Sequence, residues 1–144
     1  MKVIDGLIYD TVGFTCSCFD LLHAGHIIML KYAKARCDRL IVGLQTDPTI
    51  DRPDTKNKPI QSLEERQIQL EAVKYVDEIF TYDIEEDLYK KLLFINPDVR
   101  ILGSDYIGKS FTGDDLNIKI YYHERNHNYS TTNLRKKIVS EHIH

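Results

Sequence analysis

Apolar positions along this chain follow two alternating rhythms. Residues 11–16 form a short strand-like run, and residues 39–44 form a second, continuous enough to be covered on both faces. Between them, residues 25–37 carry Ile27, Ile28, Met29, Leu30, Tyr32 and Ala33 at helical spacing, interleaved with Lys31, Lys34 and Arg36. A strand, a helix and a strand in that order make a βαβ unit with a right-handed crossover. The rhythm then repeats. Ser62 and Glu65 form a capping box ahead of a helix bearing Ile68, Leu70, Ala72 and Val73, and residues 75–80 read as the third strand. Residues 85–95 are a helix stopped by Asn96-Pro97. Strands follow at 99–102 and 118–122, and a last helix at 134–139 is capped by Ser130, Thr131 or Thr132. The apolar segment from Val3 to Tyr9 stands outside this alternation as an added strand, a dimer contact or an arm. The pattern predicts an α/β fold: a Rossmann-like, parallel five-stranded sheet with helices on both faces.

In such sheets ligands sit beyond the carboxyl ends of the strands. The distinctive residues fall there, in segments 18–26, 46–58, 103–106 and 125–132. The chain has 144 residues, the size of one domain, here 1–144 with an arm at 1–10 and a frayed tail at 140–144. At 42% hydrophobic and 28% charged it has the composition of an ordinary globular protein. A net charge of −3 offers no bulk attraction to nucleic acid or to an anionic membrane, so phosphate binding needs a local cluster. No apolar run reaches membrane-spanning length and no signal-peptide core follows Met1, which makes the cytoplasm the expected location.

The first strand runs into a turn of small residues, and the helix after it opens with His23 and His26 in its first turn. Unpaired backbone N–H groups and the helix dipole make such a start an anion site. The two imidazoles are three residues apart and share one side, and Gly25 between them leaves the backbone open to a phosphate. Cys16 and Cys18 ahead of these histidines have some of the character of a zinc site, but small residues in a tight loop explain them better. With Cys37 they are three cysteines in no disulfide framework, expected to be reduced thiols. Arg125 offers a permanently charged planar fork, and Ser130, Thr131 and Thr132 open the last helix as a second anion site.

Phe19-Asp20-Leu21-Leu22-His23-Ala24-Gly25-His26 resembles the G-T-F-D-x-x-H-x-G-H signature of the cytidylyltransferase-like nucleotidyltransferases, most similar to their glycerol-3-phosphate branch, with Ser17-Cys18 in place of Gly-Thr. Arg125, Ser130, Thr131 and Thr132 are similar to the second signature, R-T-E-G-I-S-T-T, whose middle four residues differ here. The resemblance implies the HxGH fold and a catalytic set of His23, His26, Arg125 and Lys58. It implies nucleotide contacts from Cys18, Phe19, Asp20, Gly25, Gly103, Asp105, Ser130, Thr131 and Thr132. Lys56, Arg66 and Lys74 would meet the acceptor or its phosphate. The implied reaction moves CMP from CTP to glycerol 3-phosphate, giving CDP-glycerol and pyrophosphate by direct in-line attack. Alternatives are another phosphorylated acceptor, such as phosphoethanolamine, phosphocholine or a sugar phosphate, ATP as donor, or a silent nucleotide-binding module. Mg²⁺ would be carried mainly by nucleotide phosphates without a protein cage. A homodimer, through residues 75–80 or the arm, is also implied.

Overall fold

A computed structural model describes residues 2–142. Five parallel strands form one sheet: β3 (Val12–Ser17), β4 (Arg39–Gln45), β5 (Glu78–Tyr82), β6 (Val99–Gly103) and β7 (Lys119–His123), in the order β5-β4-β3-β6-β7. Helices α1 (Ala24–Lys34), α2 (Leu63–Glu71), α3 (Glu85–Ile95) and α4 (Thr131–His142) connect or follow them. The α/β architecture with a five-stranded parallel sheet is therefore as the pattern of apolar residues predicts.

Period-two alternation along the strands sorts the core into two layers. On one face Leu40, Val42, Leu44, Val99 and Ile101 pack with Leu30 and Ala33 of α1 and Leu70 of α2. On the other, Phe14 and Tyr82 pack with Leu88 and Leu92 of α3. α2 begins with the expected box, Ser62 and Glu65 each holding the other's backbone N–H. α3 lacks a capping side chain but places Glu85, Glu86 and Asp87 in its first turn, where the dipole favours them, and ends in left-handed Asn96.

The third strand starts later than the apolar run suggests. Tyr75 and Val76 pack on the core from a turn, and Asp77 accepts from Leu40 N at 2.7 Å before pairing begins at Glu78. The segment ahead of the sheet is an antiparallel hairpin, β1 (Lys2–Ile4) and β2 (Leu7–Tyr9), turning through Asp5 and Gly6 with positive φ at both. The expected frayed tail is helical as far as His142, and the rest of it lies outside the described residues. Among the described residues no helix is long and apolar enough to cross a membrane.

Candidate active site

The turn from β3 into α1 is strained and firmly held. Phe19 and Leu21 both have φ near +50°, a region that side chains rarely adopt. Between them, buried Asp20 accepts from Ile60 N at 2.9 Å and Gln61 N at 3.0 Å and pairs with Arg135 at 2.8 Å. Its own carbonyl accepts from Thr131 Oγ1 at 3.0 Å. Burial alone would raise the Asp20 pKa, but these bonds outweigh it and hold the carboxyl below its usual range.

α1 then opens with a capping box built from two histidines. His23 Nδ1 accepts from Gly25 N at 3.0 Å, and His26 Nδ1 accepts from His23 N at 3.1 Å. An Nδ1 that accepts carries no proton, so each neutral ring keeps its proton on Nε2. The ring centroids are 3.9 Å apart. Burial, then His23 and Arg125, press the His26 pKa down to about 3. Burial, Arg125 and His127 lower that of His23. Both rings are thus neutral Nε2–H donors at neutral pH. Gly25 has a steric reason to be glycine: a Cβ there would lie 2.8 Å from His23 Cε1 and 3.0 Å from His127 Cε1.

These groups line a cavity of about 850 Å³ over the carboxyl edge of the sheet. Cys18, His23, Gly25, His26, Lys56, Gly103, Asp105 and Arg125 all contribute to its wall. Segments from after β3, β4, β6 and β7 meet there, as the topology rule requires. The two imidazoles and the guanidinium share one concavity, an arrangement able to hold several phosphates in line.

The cytidylyltransferase-like family matches residues 14–137. The chain belongs to that family. It is 39% identical over 133 residues to the bifunctional protein HldE of Caulobacter vibrioides, covering 90% of this chain and 27% of that one. It is 42% identical over 125 residues to the HldE protein of Wolinella succinogenes, covering 87% and 26%. The chain thus spans about a quarter of the length of these curated relatives. Among solved structures, a lipopolysaccharide core biosynthesis protein from Thermoplasma volcanium superposes with a TM-score of 0.65 at 27% identity, covering 85% of this chain and all of that one.

Several residues that the family resemblance assigns to the ligand are placed elsewhere. Phe19 is buried in the core, its ring 5.4 Å from that of His26, so it supports the imidazole from behind. Asp20 is spent on the loop and α4, as above. Arg66, 2% exposed, gives its donors to the carbonyls of Cys18, Gln45, Thr46 and Gln61, at 2.6–3.2 Å, and bolts the strand ends together. Lys58 is 79% exposed and outside the cavity wall, with Asp47 at 3.9 Å. Lys74 follows α2, at the opposite end of β5 from the cavity, with its Nζ over Tyr75. Ser130 Oγ caps α4 by accepting from Asn133 N, Thr131 ties to Asp20, and Thr132 is exposed; none of the three lines the cavity.

Other wall residues escaped sequence reasoning. His127 lies over Gly25, and its Nδ1 accepts from Tyr129 N at 3.1 Å. His123 stands against Tyr32 with a buried, unpartnered Nε2, and burial lowers its pKa, followed by His127, Arg36 and Arg125. Arg52, Glu85, Arg100 and Thr112 line the far side. The position of His127 inside the second signature was its available signal. Arg52 had its place in segment 46–58, at the carboxyl end of a strand, whereas Glu85 had none, since it reads as a surface charge.

Proposed function

We propose that this chain transfers a nucleoside monophosphate from a nucleoside triphosphate to a sugar phosphate and releases pyrophosphate. Family membership supports the nucleotidyl transfer. The sugar phosphate is favoured over glycerol 3-phosphate because the relatives are HldE proteins and a protein of lipopolysaccharide core biosynthesis, and that core is a saccharide. ATP is the donor to test ahead of CTP, because residues 126–129 depart from the cytidylyltransferase pattern that suggested CTP.

The reciprocal histidine cap carries the reading. It leaves Nε2–H of both rings free for phosphate oxygens while the backbone N–H groups at the start of α1 add positive potential. An acceptor phosphate oxygen attacks the α-phosphorus in line, a P–O bond forms, and the bond to pyrophosphate breaks with its electron pair. The nucleophile is already an anion, so the protein needs no base and no covalent step. Its work is alignment and stabilisation of charge on the phosphoryl oxygens by His23, His26 and Arg125.

Mg²⁺ fits as a companion of the triphosphate. Asp105 and Asp114 are hard oxygen donors on the cavity wall, whereas among the described residues no group of three or more His, Cys, Asp or Glu gathers into a metal cage. Bound there, the ion would neutralise phosphate charge. Pyrophosphate release measured over ATP, CTP, GTP and UTP, each against mannose 1-phosphate, ribose 5-phosphate, glycerol 3-phosphate and phosphocholine, tests the proposal. Turnover confined to glycerol 3-phosphate with CTP would reject it.

A further inference from the structure

The cavity has a second half on the other side of the sheet edge. Strand alternation puts Thr15 and Ile101 on the α1 face, with Thr15 Oγ1 donating to the Ile101 carbonyl at 3.0 Å and Met29 Sδ 3.8 Å from it. Phe14, Cys16 and Arg100 lie on the α3 face. The cavity wall includes residues of both faces, so it wraps over the edge from the imidazoles toward the start of α3.

There the polar groups are planar and fixed by one another. Arg52 Nη2 lies 3.2 Å from Glu85 Oε1 and 3.5 Å from Gln45 Oε1. Thr112 Oγ1 donates to Glu85 Oε2 at 2.9 Å, and Arg100 donates to the Thr112 carbonyl. Arg100 is only 3% exposed and stacks on Phe111 at 5.1 Å. Among the described residues it makes no ion pair, and its Nε, like that of Arg52, is buried without a partner. A buried guanidinium left in this state calls for polar company from a ligand.

The chemistry of this half differs from that of the phosphate grip. A carboxylate beside a guanidinium presents acceptors and donors side by side, matching neighbouring hydroxyl groups, and an aromatic ring offers an apolar wall for the C–H face of a sugar. The Glu85 oxygens are acceptors that the hydroxyl groups of a polyol can donate to and that phosphate oxygens, acceptors themselves, cannot. We infer that the α3-side half binds the hydroxylated carbon chain of the acceptor through Glu85, Arg52 and Thr112. The acceptor phosphate then reaches over the sheet edge toward His23 and His26. This rests on the transferase reading above, and it adds the residues that choose the acceptor.

The test uses the full chain and two kinds of acceptor, mannose 1-phosphate and methyl phosphate, the second having no hydroxyls. Steady-state rates give kcat/KM for each, and calorimetry gives ATP and CTP affinity separately. The wild type should prefer the sugar phosphate by about 100-fold or more in kcat/KM. Glu85→Gln should raise KM for mannose 1-phosphate by roughly 10–100-fold, the cost of weakening charge-assisted hydrogen bonds, and erase most of the preference. Nucleotide affinity should stay within about twofold, well below such a loss. Should Glu85→Gln fail to fold, Thr112→Val carries the same reading through a similarly shaped side chain, with a KM rise of about threefold or more. Either variant keeping the sugar preference intact, or losing nucleotide affinity in step with acceptor affinity, overturns the inference. A protein that binds nucleotide but turns over no phosphorylated acceptor overturns the transferase reading first, and this inference with it.

Discussion

At the start of α1 the capping groups are imidazoles, while at the start of α4 they are hydroxyls. His23 and His26 each cap with Nδ1 and still hold a second ring nitrogen toward the cavity. Ser130 accepts from Asn133 N and Thr131 donates to the Asp20 carbonyl, and neither side chain lines the cavity. A ring with two nitrogens can finish a helix and bind a ligand at once, while the α4 hydroxyls serve the fold outside the cavity wall. Both helix starts look equally suited to anions in sequence, yet only the first has its capping side chains in the cavity wall.

The sharpest way to break this comparison is to separate the two jobs of one ring. His26→Ala removes a preorganised donor, and turnover measured by pyrophosphate release should drop on the order of 10²–10³-fold. His26→Asn keeps an oxygen able to accept from His23 N, so its melting temperature should stay near wild type while activity remains as low as in the alanine variant. If His26→Asn retained near-normal turnover, the ring would be a cap and nothing more. At α4 the reverse holds: Ser130→Ala should cost about 1 kcal/mol of stability with turnover almost unchanged.

Next come the groups that hold the strained turn in place. Asp20→Ala removes one partner of a buried pair and strands two backbone N–H groups, an expected loss on the order of 3 kcal/mol in urea unfolding. A full-strength fold with lost nucleotide binding would instead return Asp20 to the ligand.

Acid offers a milder test. His26 has a pKa of about 3 in the folded protein against 6.5 in an exposed chain. Between those values the unfolded chain binds the proton and the folded one does not. Stability from this site is full above about pH 7 and declines as pH falls toward 3. The urea midpoint should therefore fall between pH 7.5 and 5, and His26→Asn should flatten that slope. The smallest contrast is between two lysines of one loop. Lys56 lines the cavity and Lys58 does not, so Lys56→Ala should raise nucleotide or acceptor KM by several-fold, and Lys58→Ala should leave both within about twofold, as for an exposed charge.

The sheet was legible because each element carries its own periodicity and caps, and these act over a few residues. The exception, the late start of β5, arises where Tyr75 and Val76 pack as turn residues, a choice made by the core beneath them. The histidine pair was legible for the same local reason, since a cap spans three positions. The roles of the arginines were not. Arg66, Arg52, Arg100 and Arg125 are the same residue in sequence, and their partners come from distant segments.

The chain by itself therefore determined the alternating elements, the parallel sheet, the anion-ready start of α1 and membership of a nucleotidyltransferase family. Only the tertiary structure decided which cations face the cavity. Arg66 is surrounded by the carbonyls of Cys18, Gln45, Thr46 and Gln61 and is used up, while Arg125 lines the cavity. The reason is physical: a guanidinium has five donors to satisfy, and what remains for a ligand depends on how many carbonyls the folded chain brings within reach.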